Sequence, residues 1–319
     1  SRISSARSKI FRPTNAGEVR DTLRLSDILP RGGGMSFGDA ALNDGRNLIE
    51  TASLAQIGDI SLDSETGILC CPSGLTQKEI LEVVVRQGWI LPAIPGSANI
   101  TIGGSIAADG HGKNHYLRGS ISQHLISLEI MLASGELIEA SREKMPDLFR
   151  ATVGGLGLTG VVLSAKLKLQ PVSSAYAAYK LIGFENVGEM VDVIEAQKSN
   201  YEYILGWVDG NFRPGKPWRG AVSLGRIPAL EQLNDPLISP PARAIKLPFA
   251  NPLPWGGMLA GRIVNQAIGR KFRHGRNGVE NLNRFFFPQD MVINWNLAFG
   301  HSGFVDYQCC VPDDNGREF

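Results

Sequence analysis

A capping box at Thr76–Glu79 opens a predicted helix whose apolar face is formed by Ile80, Leu81, Val84 and Val85. Residues 67–71 before this box have the pattern of a strand, and Gly88 is placed to end the helix. Nearer the N-terminus, a helix-like stretch after Thr14 leads to a strand that ends near Arg31. The first part of the chain is therefore predicted to mix strands and helices.

Alternating apolar and polar positions predict further strands in the same part of the chain. Residues 126–140 predict a hairpin with its turn at residues 134–135. Residues 161–169 alternate as a half-buried strand, which Pro171 closes, and a helix over residues 146–152 precedes them.

A domain boundary is predicted near residue 172, which divides the chain into residues 1–172 and residues 173–319. The second domain begins with a strand, a helix and a strand, at residues 176–182, 186–198 and 201–208. A strand at residues 304–311 follows much later, and Asp313 resembles a helix start. We therefore expect the second domain to be C-terminally incomplete.

Composition places the chain among ordinary globular proteins, with 43% hydrophobic and 20% charged residues. The 32 Lys and Arg residues nearly balance the 31 Asp and Glu residues, so overall charge gives no reason to expect a nucleic-acid partner. The N-terminus lacks a signal-peptide pattern, and no apolar run reaches about 18 residues. We expect a cytoplasmic protein that is at most peripheral to a membrane.

Residues 236–279 form a basic, Pro- and Gly-rich insertion without a single Asp or Glu. Such a segment fits a surface for an anionic partner, either a prenyl-phosphate sugar or an acidic membrane face. The alternative is a solvated insertion with no binding role.

Residues 155–160 match the G-x-G-x-x-G pattern of dinucleotide-binding proteins. That motif needs a strand before it and a helix after it, so that the helix N-terminus faces the pyrophosphate. Here a predicted helix precedes the glycines and a predicted strand follows them. The order is reversed, and the sequence does not predict that fold.

Two other glycine-rich stretches suit a phosphate group better. Successive backbone N–H groups in Arg31–Asp39 could bind a diphosphate without a helix dipole, although a plain glycine turn is the alternative. Pro95–Gly104 has the same character. The small residues 103–108 after it would let a flat ring system approach the backbone. His111 follows between two glycines.

Together these motifs resemble the vanillyl-alcohol oxidase superfamily of FAD enzymes. The resemblance rests on four ordered segments: Arg31–Asp39, Pro95–Gly104, His111–His115 and Thr152–Gly160. Within the superfamily, the His-Gly-Lys-Asn-His run is similar to decaprenylphosphoryl-ribose 2′-oxidases, which act in mycobacterial arabinan precursor synthesis. Further similar segments cover the second domain: Gly206–Asp209, Phe286–Asp290, Asn294–Asn296 and Gly303–Gln308.

The resemblance implies an α+β fold class. It consists of a two-subdomain FAD-binding domain of the vanillyl-alcohol oxidase type and an antiparallel-sheet substrate (cap) domain. FAD would be held non-covalently. The implied cofactor-binding residues are Gly32, Gly33, Gly34, Met35, Ser36, Phe37, Pro95, Gly96, Ser97, Ile100, Thr101, Gly103, Gly104, Ala107, Gly110, His111, Gly112, Gly160 and Val161.

The resemblance also implies roles in catalysis. His111 would orient or deprotonate the substrate hydroxyl, Lys113 would support an anionic group, and Gln308 would hydrogen-bond the sugar or the flavin edge. Trp207 and Phe286 would form the wall on which the sugar packs; with the resemblance set aside, the alternative is that both are core aromatics.

Two residues depart from the subgroup's pattern. Phe37 stands where the subgroup usually has a tyrosine, which removes a hydroxyl near the flavin. Asp306, in the implied substrate pocket, stands where a glutamine is usual, which changes the charge there. The subgroup's cysteine, asparagine and lysine near the flavin belong to a C-terminal region outside this sequence.

The predicted activity is oxidation of a secondary alcohol of a sugar. The resemblance favours a polyprenyl-phosphate-linked pentose, with a short-chain reductase as the partner that completes an epimerisation. One alternative is an oxidase or dehydrogenase of a soluble sugar, alditol or sugar lactone. Another is a flavin-binding protein without catalytic activity. No metal site is predicted.

Overall fold

A computed structural model describes residues 7–209, 218–228 and 275–295, together with Leu297 and short pieces between residues 237 and 269. The predicted strand at residues 304–311 and the site candidates Asp306 and Gln308 lie outside the described residues. Most of the basic insertion at residues 236–279 lies outside them as well.

The N-terminal sheet has three parallel strands in the order β1-β3-β2. The strands are β1 (Lys9–Phe11), β2 (Ile28–Arg31) and β3 (Asn47–Glu50). Helix α1 (Ala16–Leu23) connects the first two, and its N-cap residue Asn15 accepts a hydrogen bond from Glu18 N. Because β2 ends at Arg31, the first glycine-rich stretch begins where this strand leaves the sheet.

A five-stranded antiparallel sheet follows, in the order β4-β5-β9-β7-β8. Its strands are β4 (Ser61–Asp63), β5 (Ile68–Pro72), β7 (Leu125–Met131), β8 (Leu137–Ser141) and β9 (Val161–Lys168). The two-residue strands β6 (Trp89–Ile90) and β10 (Gln170–Pro171) pair separately. The predicted hairpin is confirmed as β7 and β8, with Gly135 at φ +83° in the turn.

Helix α2 (Gln77–Val84) confirms the predicted capping box. Thr76 accepts from Glu79 N, and the Glu79 carboxylate accepts from Thr76 N at 2.8 Å. A 3₁₀ turn extends the helix to the predicted end at Gly88, which adopts φ +81°.

Residues 95–120, for which the sequence predicts no helix, contain two short helices, α3 (Ile102–Ala107) and α4 (His115–Arg118). Ile102 and Ile106 are buried on one face of α3, and the Thr101 side chain caps its first turn. This burial stabilises α3 despite the low helix propensity of its two glycines. The glycines are the reason that the sequence alone does not predict the helix. Helix α5 (Pro146–Thr152) lies where a helix was predicted.

The second part of the chain forms a four-stranded antiparallel sheet in the order β12-β13-β11-β15. Its strands are β11 (Tyr176–Phe184), β12 (Tyr203–Val208), β13 (Gly220–Arg226) and β15 (Arg276–Asn281). Helix α6 (Val187–Gln197) packs on the face that buries Phe184, Val222 and Leu224. The short strands β14 (Ile245–Lys246) and β16 (Val292–Ile293) pair in parallel.

A shared hydrophobic core joins the two parts. Helix α7 (Leu282–Phe286) and β12 contribute Phe285, Phe286 and Tyr203 to the same buried cluster as Ile106 of α3. The Tyr203 ring meets the two phenylalanine rings edge-on, with centroids 5.7 and 5.0 Å away. Among the described residues, no helix has the length and apolar character needed to span a membrane.

Candidate functional site

A cleft brings together the three glycine-rich stretches. Its wall is formed by Pro30, Arg31, Gly32, Gly33, Gly34, Met35, Ser36, Ala40, Ala41, Ile100, Thr101, Gly104, Ala107, Ala108 and Leu156. Arg31 is the one charged side chain among these lining residues, and no lining residue is acidic. The rest of the wall is backbone and small or apolar side chains, a surface that suits an anion approached by a flat organic group.

The first glycine-rich stretch contains several backbone N–H groups that are not used in backbone hydrogen bonds among the described residues. Among the described residues, the N–H groups of Gly33, Gly34, Met35 and Ser36 donate to no backbone carbonyl. Gly34 and Gly38 adopt φ values of +67° and +68°, which bend the chain at this point. Successive N–H groups that are free of backbone partners form the kind of concave site that holds phosphate oxygens.

The first and second stretches touch through their backbones. A Cβ on Gly32 would overlap the Thr101 hydroxyl, and a Cβ on Gly33 would overlap the Asn99 carbonyl oxygen. Thr101 is fully buried and caps α3 by accepting from Gly104 N at 3.1 Å. The two glycines are therefore required by close approach between segments.

The third glycine-rich stretch, Thr152–Gly160, contributes Leu156 to the wall of the cleft. Gly154 N donates to Ile106 O at 3.0 Å, and Leu156 N donates to Ala107 O at 2.9 Å, so this stretch is attached to the end of α3. Leu156 adopts φ +53°, an uncommon value for a side chain of this size. As the sequence predicts, α5 precedes this stretch and β9 follows it.

Some of the predicted cofactor-binding residues do not line this cleft. Those residues are Phe37, Pro95, Gly96, Ser97, Gly103, Gly110, His111, Gly112, Gly160 and Val161. Ser97 Oγ donates to the Asp290 carboxylate at 3.0 Å, and Gly103 N donates to Ser73 O at 2.8 Å. The Val161 side chain is fully buried in the core. Conversely, the cleft is also lined by residues outside the predicted cofactor-binding set: Pro30, Arg31, Ala40, Ala41, Ala108 and Leu156.

His111 follows the C-terminal end of α3 in the chain. The six residues of α3 span roughly 9 Å along the helix axis. Close packing fixes the backbone around His111: a Cβ on Gly110 would collide with Ser105 Oγ, and one on Gly112 with Ile94 O. The exposed His111 ring lies 5.0 Å from that of His115, centroid to centroid.

The Lys113 side chain turns inward. Its ammonium group donates to the Phe285 carbonyl and lies 4.6 Å from the centroid of the Phe285 ring. Burial lowers the pKa of Lys113 from 10.5 to about 8, an effect that the nearby Glu280 carboxylate partly opposes. Lys113 is therefore attached to the second part of the chain, through α7.

The two aromatic residues predicted to contact substrate occupy different environments. Phe286 is 2% exposed and packs in the core, so its ring offers almost no surface to a ligand. Trp207 lines a second cleft with Phe184, Glu185, Asp209 and Arg219. Ile204, three residues earlier on β12, donates its N–H to Lys113 O at 2.9 Å. Trp207 thus lies roughly 10 Å further along the strand from that contact.

Residues 8–141 match the FAD binding domain family. This segment is an FAD binding domain, and FAD is the cofactor. Decaprenylphosphoryl-beta-D-ribose oxidase of Mycolicibacterium smegmatis is 35% identical over 308 residues, which cover 92% of this chain and 65% of that protein.

Two further relatives are similar over shorter stretches. D-arabinono-1,4-lactone oxidase of Yarrowia lipolytica is 32% identical over 115 residues, which cover 36% of this chain and 22% of that protein. D-lactate dehydrogenase of Archaeoglobus fulgidus is 25% identical over 172 residues, covering 51% of this chain and 38% of that protein. This chain spans about two thirds of the length of the oxidase from Mycolicibacterium smegmatis, and less of these two.

The residues of the cleft fit this cofactor. Free N–H groups at Gly33–Ser36 and the nearby Arg31 match the charge of a diphosphate. The small residues Gly104, Ala107 and Ala108 let a flat group lie close to α3.

Replacing Gly33 by Ala should raise the dissociation constant of FAD by roughly tenfold or more, because the added methyl group pushes the donor loop away from Asn99. Titration of apoprotein with FAD, followed by quenching of flavin fluorescence, measures the effect. Gly58→Ala is the matched control, since a Cβ there meets nothing within 4 Å. Equal dissociation constants for the two variants would contradict the assignment.

The lowered pKa of Lys113 predicts a pH-dependent contribution to stability. The unfolded chain keeps this proton up to about pH 10.5, whereas the folded protein releases it near pH 8. Between these values the unfolded state binds more protons, so the contribution of Lys113 to the free energy of unfolding rises with pH. The free energy of unfolding of the unsubstituted protein, minus that of Lys113→Met, should therefore increase from pH 7 to pH 10.

Urea unfolding of both proteins at each pH measures this difference. Lys180→Met, at an exposed position of β11, controls for the loss of one positive charge. A difference that stays constant, or falls, as pH rises would contradict the buried position of the Lys113 ammonium.

Proposed function

We propose that this chain is the greater part of an FAD-dependent oxidoreductase that oxidises a secondary hydroxyl group of a sugar. The observation that carries the proposal is the 35% identity to a ribose oxidase over 92% of the chain. The cleft supports it, because its three walls come from the stretches that a diphosphate-bearing cofactor requires. FAD is proposed to be held non-covalently.

Oxidation of an alcohol needs a hydride acceptor and a proton acceptor. When bound, FAD accepts the hydride from the carbinol carbon. The hydroxyl proton passes to a ring nitrogen of His111, whose exposed ring stands beyond the end of α3. The tight packing of Gly110 and Gly112 holds the backbone of His111 in place, which reduces the entropy lost on reaching a productive geometry.

Other residues of this chain bind and orient the sugar in this proposal. Trp207 offers an aromatic surface for the ring, and Arg219 and Glu185 in the same cleft supply charged groups. Asp306 and Gln308 stay predicted substrate-binding and catalytic residues and lie outside the described residues. Lys113 keeps N–H donors beyond the one used on Phe285 and supports an anionic group of the substrate.

The substrate is proposed to be a pentose carried on a polyprenyl phosphate, oxidised at its 2′ position as the first half of an epimerisation. The name of the relative from Mycolicibacterium smegmatis supports this choice. The basic insertion at residues 236–279 also supports it, because a segment without acidic residues favours phosphate and acidic lipid surfaces. A short-chain reductase would complete the epimerisation. A soluble sugar lactone is the second candidate, which the similarity to an arabinonolactone oxidase favours.

A polyprenyl-phosphate-linked pentose should reduce the bound flavin at least about tenfold faster than free alditols or aldonolactones, because binding of the distant lipid and phosphate contributes to the transition state. Anaerobic stopped-flow measurement of the flavin band near roughly 450 nm records each rate. Acid precipitation beforehand should release the yellow colour into the supernatant, as non-covalent FAD requires. Faster reduction by free sugars or lactones would favour the second candidate, and no reduction by any alcohol would indicate a flavin-binding protein without catalytic activity.

Replacing His111 by Gln should slow flavin reduction by about 10²- to 10⁴-fold while leaving the dissociation constant of FAD nearly unchanged, because the amide cannot accept the hydroxyl proton. His115→Gln is the matched control, since its ring lies only 5.0 Å from that of His111. A rate for His111→Gln equal to that of the control would contradict the assigned role.

A further inference from the structure

The carboxylate of Asp290 joins the second part of the chain to the loop before α3. Ser97 Oγ donates to its two oxygens at 3.0 and 3.2 Å, and Ala98 N donates to Oδ2 at 2.6 Å. Ser97 Oγ in turn accepts from Asn99 N at 3.3 Å. One acidic side chain therefore organises three consecutive residues of the loop.

Both ends of this contact are firmly held. Asp290 lies in a 3₁₀ turn (Pro288–Met291), and its N–H donates to Phe287 O at 3.1 Å. Phe287 and the two phenylalanines before it are buried in the core. On the other side, Ser97 and Ala98 are buried. Hydrogen bonds to an ionised carboxylate in such a setting are shorter and stronger than those between neutral groups.

The loop leads directly to the cofactor cleft. The carbonyl oxygen of Asn99 lies against Gly33, and the next two residues, Ile100 and Thr101, line the cleft. Because Asn99 follows the residues that Asp290 holds, movement of Asp290 would shift the surface on which the donor loop rests.

We propose that Asp290 is a positioning residue for FAD binding, which acts through Ser97 and Ala98 on the contact between Asn99 and Gly33. Asp290 lies far outside residues 8–141, which match the FAD binding domain. The affinity of that domain for FAD is therefore set in part by the second half of the chain. This inference rests on the assignment of FAD to the cleft.

Replacing Asp290 by Asn tests the inference directly. The amide keeps one acceptor oxygen but turns its NH₂ group toward a second donor, so the loop loses at least one charge-assisted hydrogen bond. We expect the dissociation constant of FAD to rise roughly tenfold and FAD release to accelerate by a similar factor. Asp290→Glu, which keeps the carboxylate, should recover part of the affinity.

A double-mutant cycle with Ser97→Ala separates positioning from a general loss of stability. Because both residues act on the same loop, the effects of Asp290→Asn and Ser97→Ala on FAD affinity should be less than additive. Asp147→Asn is the matched control, because that carboxylate is 94% exposed on α5. Urea unfolding of each apoprotein runs in parallel.

An Asp290→Asn variant with lowered stability but the same dissociation constant for FAD as the control would overturn the inference. Additive effects in the cycle would overturn it as well. If Asp290→Asn does not fold, the dissociation constant of FAD for Ser97→Ala becomes the test. A value equal to that of the control would overturn the proposal. The measurement uses FAD binding alone, so failure to oxidise any sugar leaves its outcome unaffected. Absence of FAD binding by the unsubstituted protein would instead reject the assignment of FAD to the cleft.

Discussion

The N-terminal glycine loop lies so close to the segment before α3 that side chains are excluded at Gly32 and Gly33. At Gly32 the neighbouring group is the Thr101 hydroxyl, which also caps α3 through Gly104 N. The position of the donor loop, the first turn of α3 and the wall of the cleft therefore depend on the same contact. Because the site is built from backbone, it has little tolerance for displacement of either segment.

The N-termini of α2 and α3 connect this contact between Gly32 and Thr101 to the five-stranded sheet. Thr76, the cap of α2, forms an isolated antiparallel bridge with Thr101, the cap of α3. Gln77 N donates to Ile100 O and Ile102 N donates to Leu75 O, both at 2.9 Å. The segment that contacts the cofactor loop is thus fixed to the unit of β5 and α2. Such a site is organised before the cofactor arrives, which lowers the entropic cost of binding.

Features with local signals could be predicted from the sequence. The capping box at Thr76, the end of α2 at Gly88 and the hairpin turn at Gly135 each depend on residues close in the chain. The similarity of the glycine-rich segments to a known family likewise predicted FAD as the cofactor. Helix α3 was missed because its stability comes from the buried Ile102 and Ile106 rather than from its own propensity.

The sequence could not predict which of the expected cofactor-binding residues line the cleft. The groups that bind the other residues elsewhere are distant from them in the chain. Ser97 appears among phosphate-binding residues in the motif, yet its hydroxyl is used on Asp290, 193 residues away. Phe286 has the pattern of a substrate aromatic, yet three buried rings surround it: Tyr203, Phe285 and Phe287. A motif identifies which segments meet at a site, whereas the orientation of each side chain depends on the tertiary packing.

The candidate base is held from the second part of the chain in the same manner as the cofactor loop. The carboxylate of Glu202 accepts hydrogen bonds from three side chains: Arg118 at 3.1 Å, Asn114 at 3.4 Å and Gln170 at 3.0 Å. Two residues later, Ile204 N donates to Lys113 O. Strand β12 therefore fixes the segment that carries His111, while Asp290 fixes the loop on the other side of α3. Contacts from the second part of the chain therefore hold both segments that flank α3: the loop that carries Asn99 and the segment that carries the proposed base.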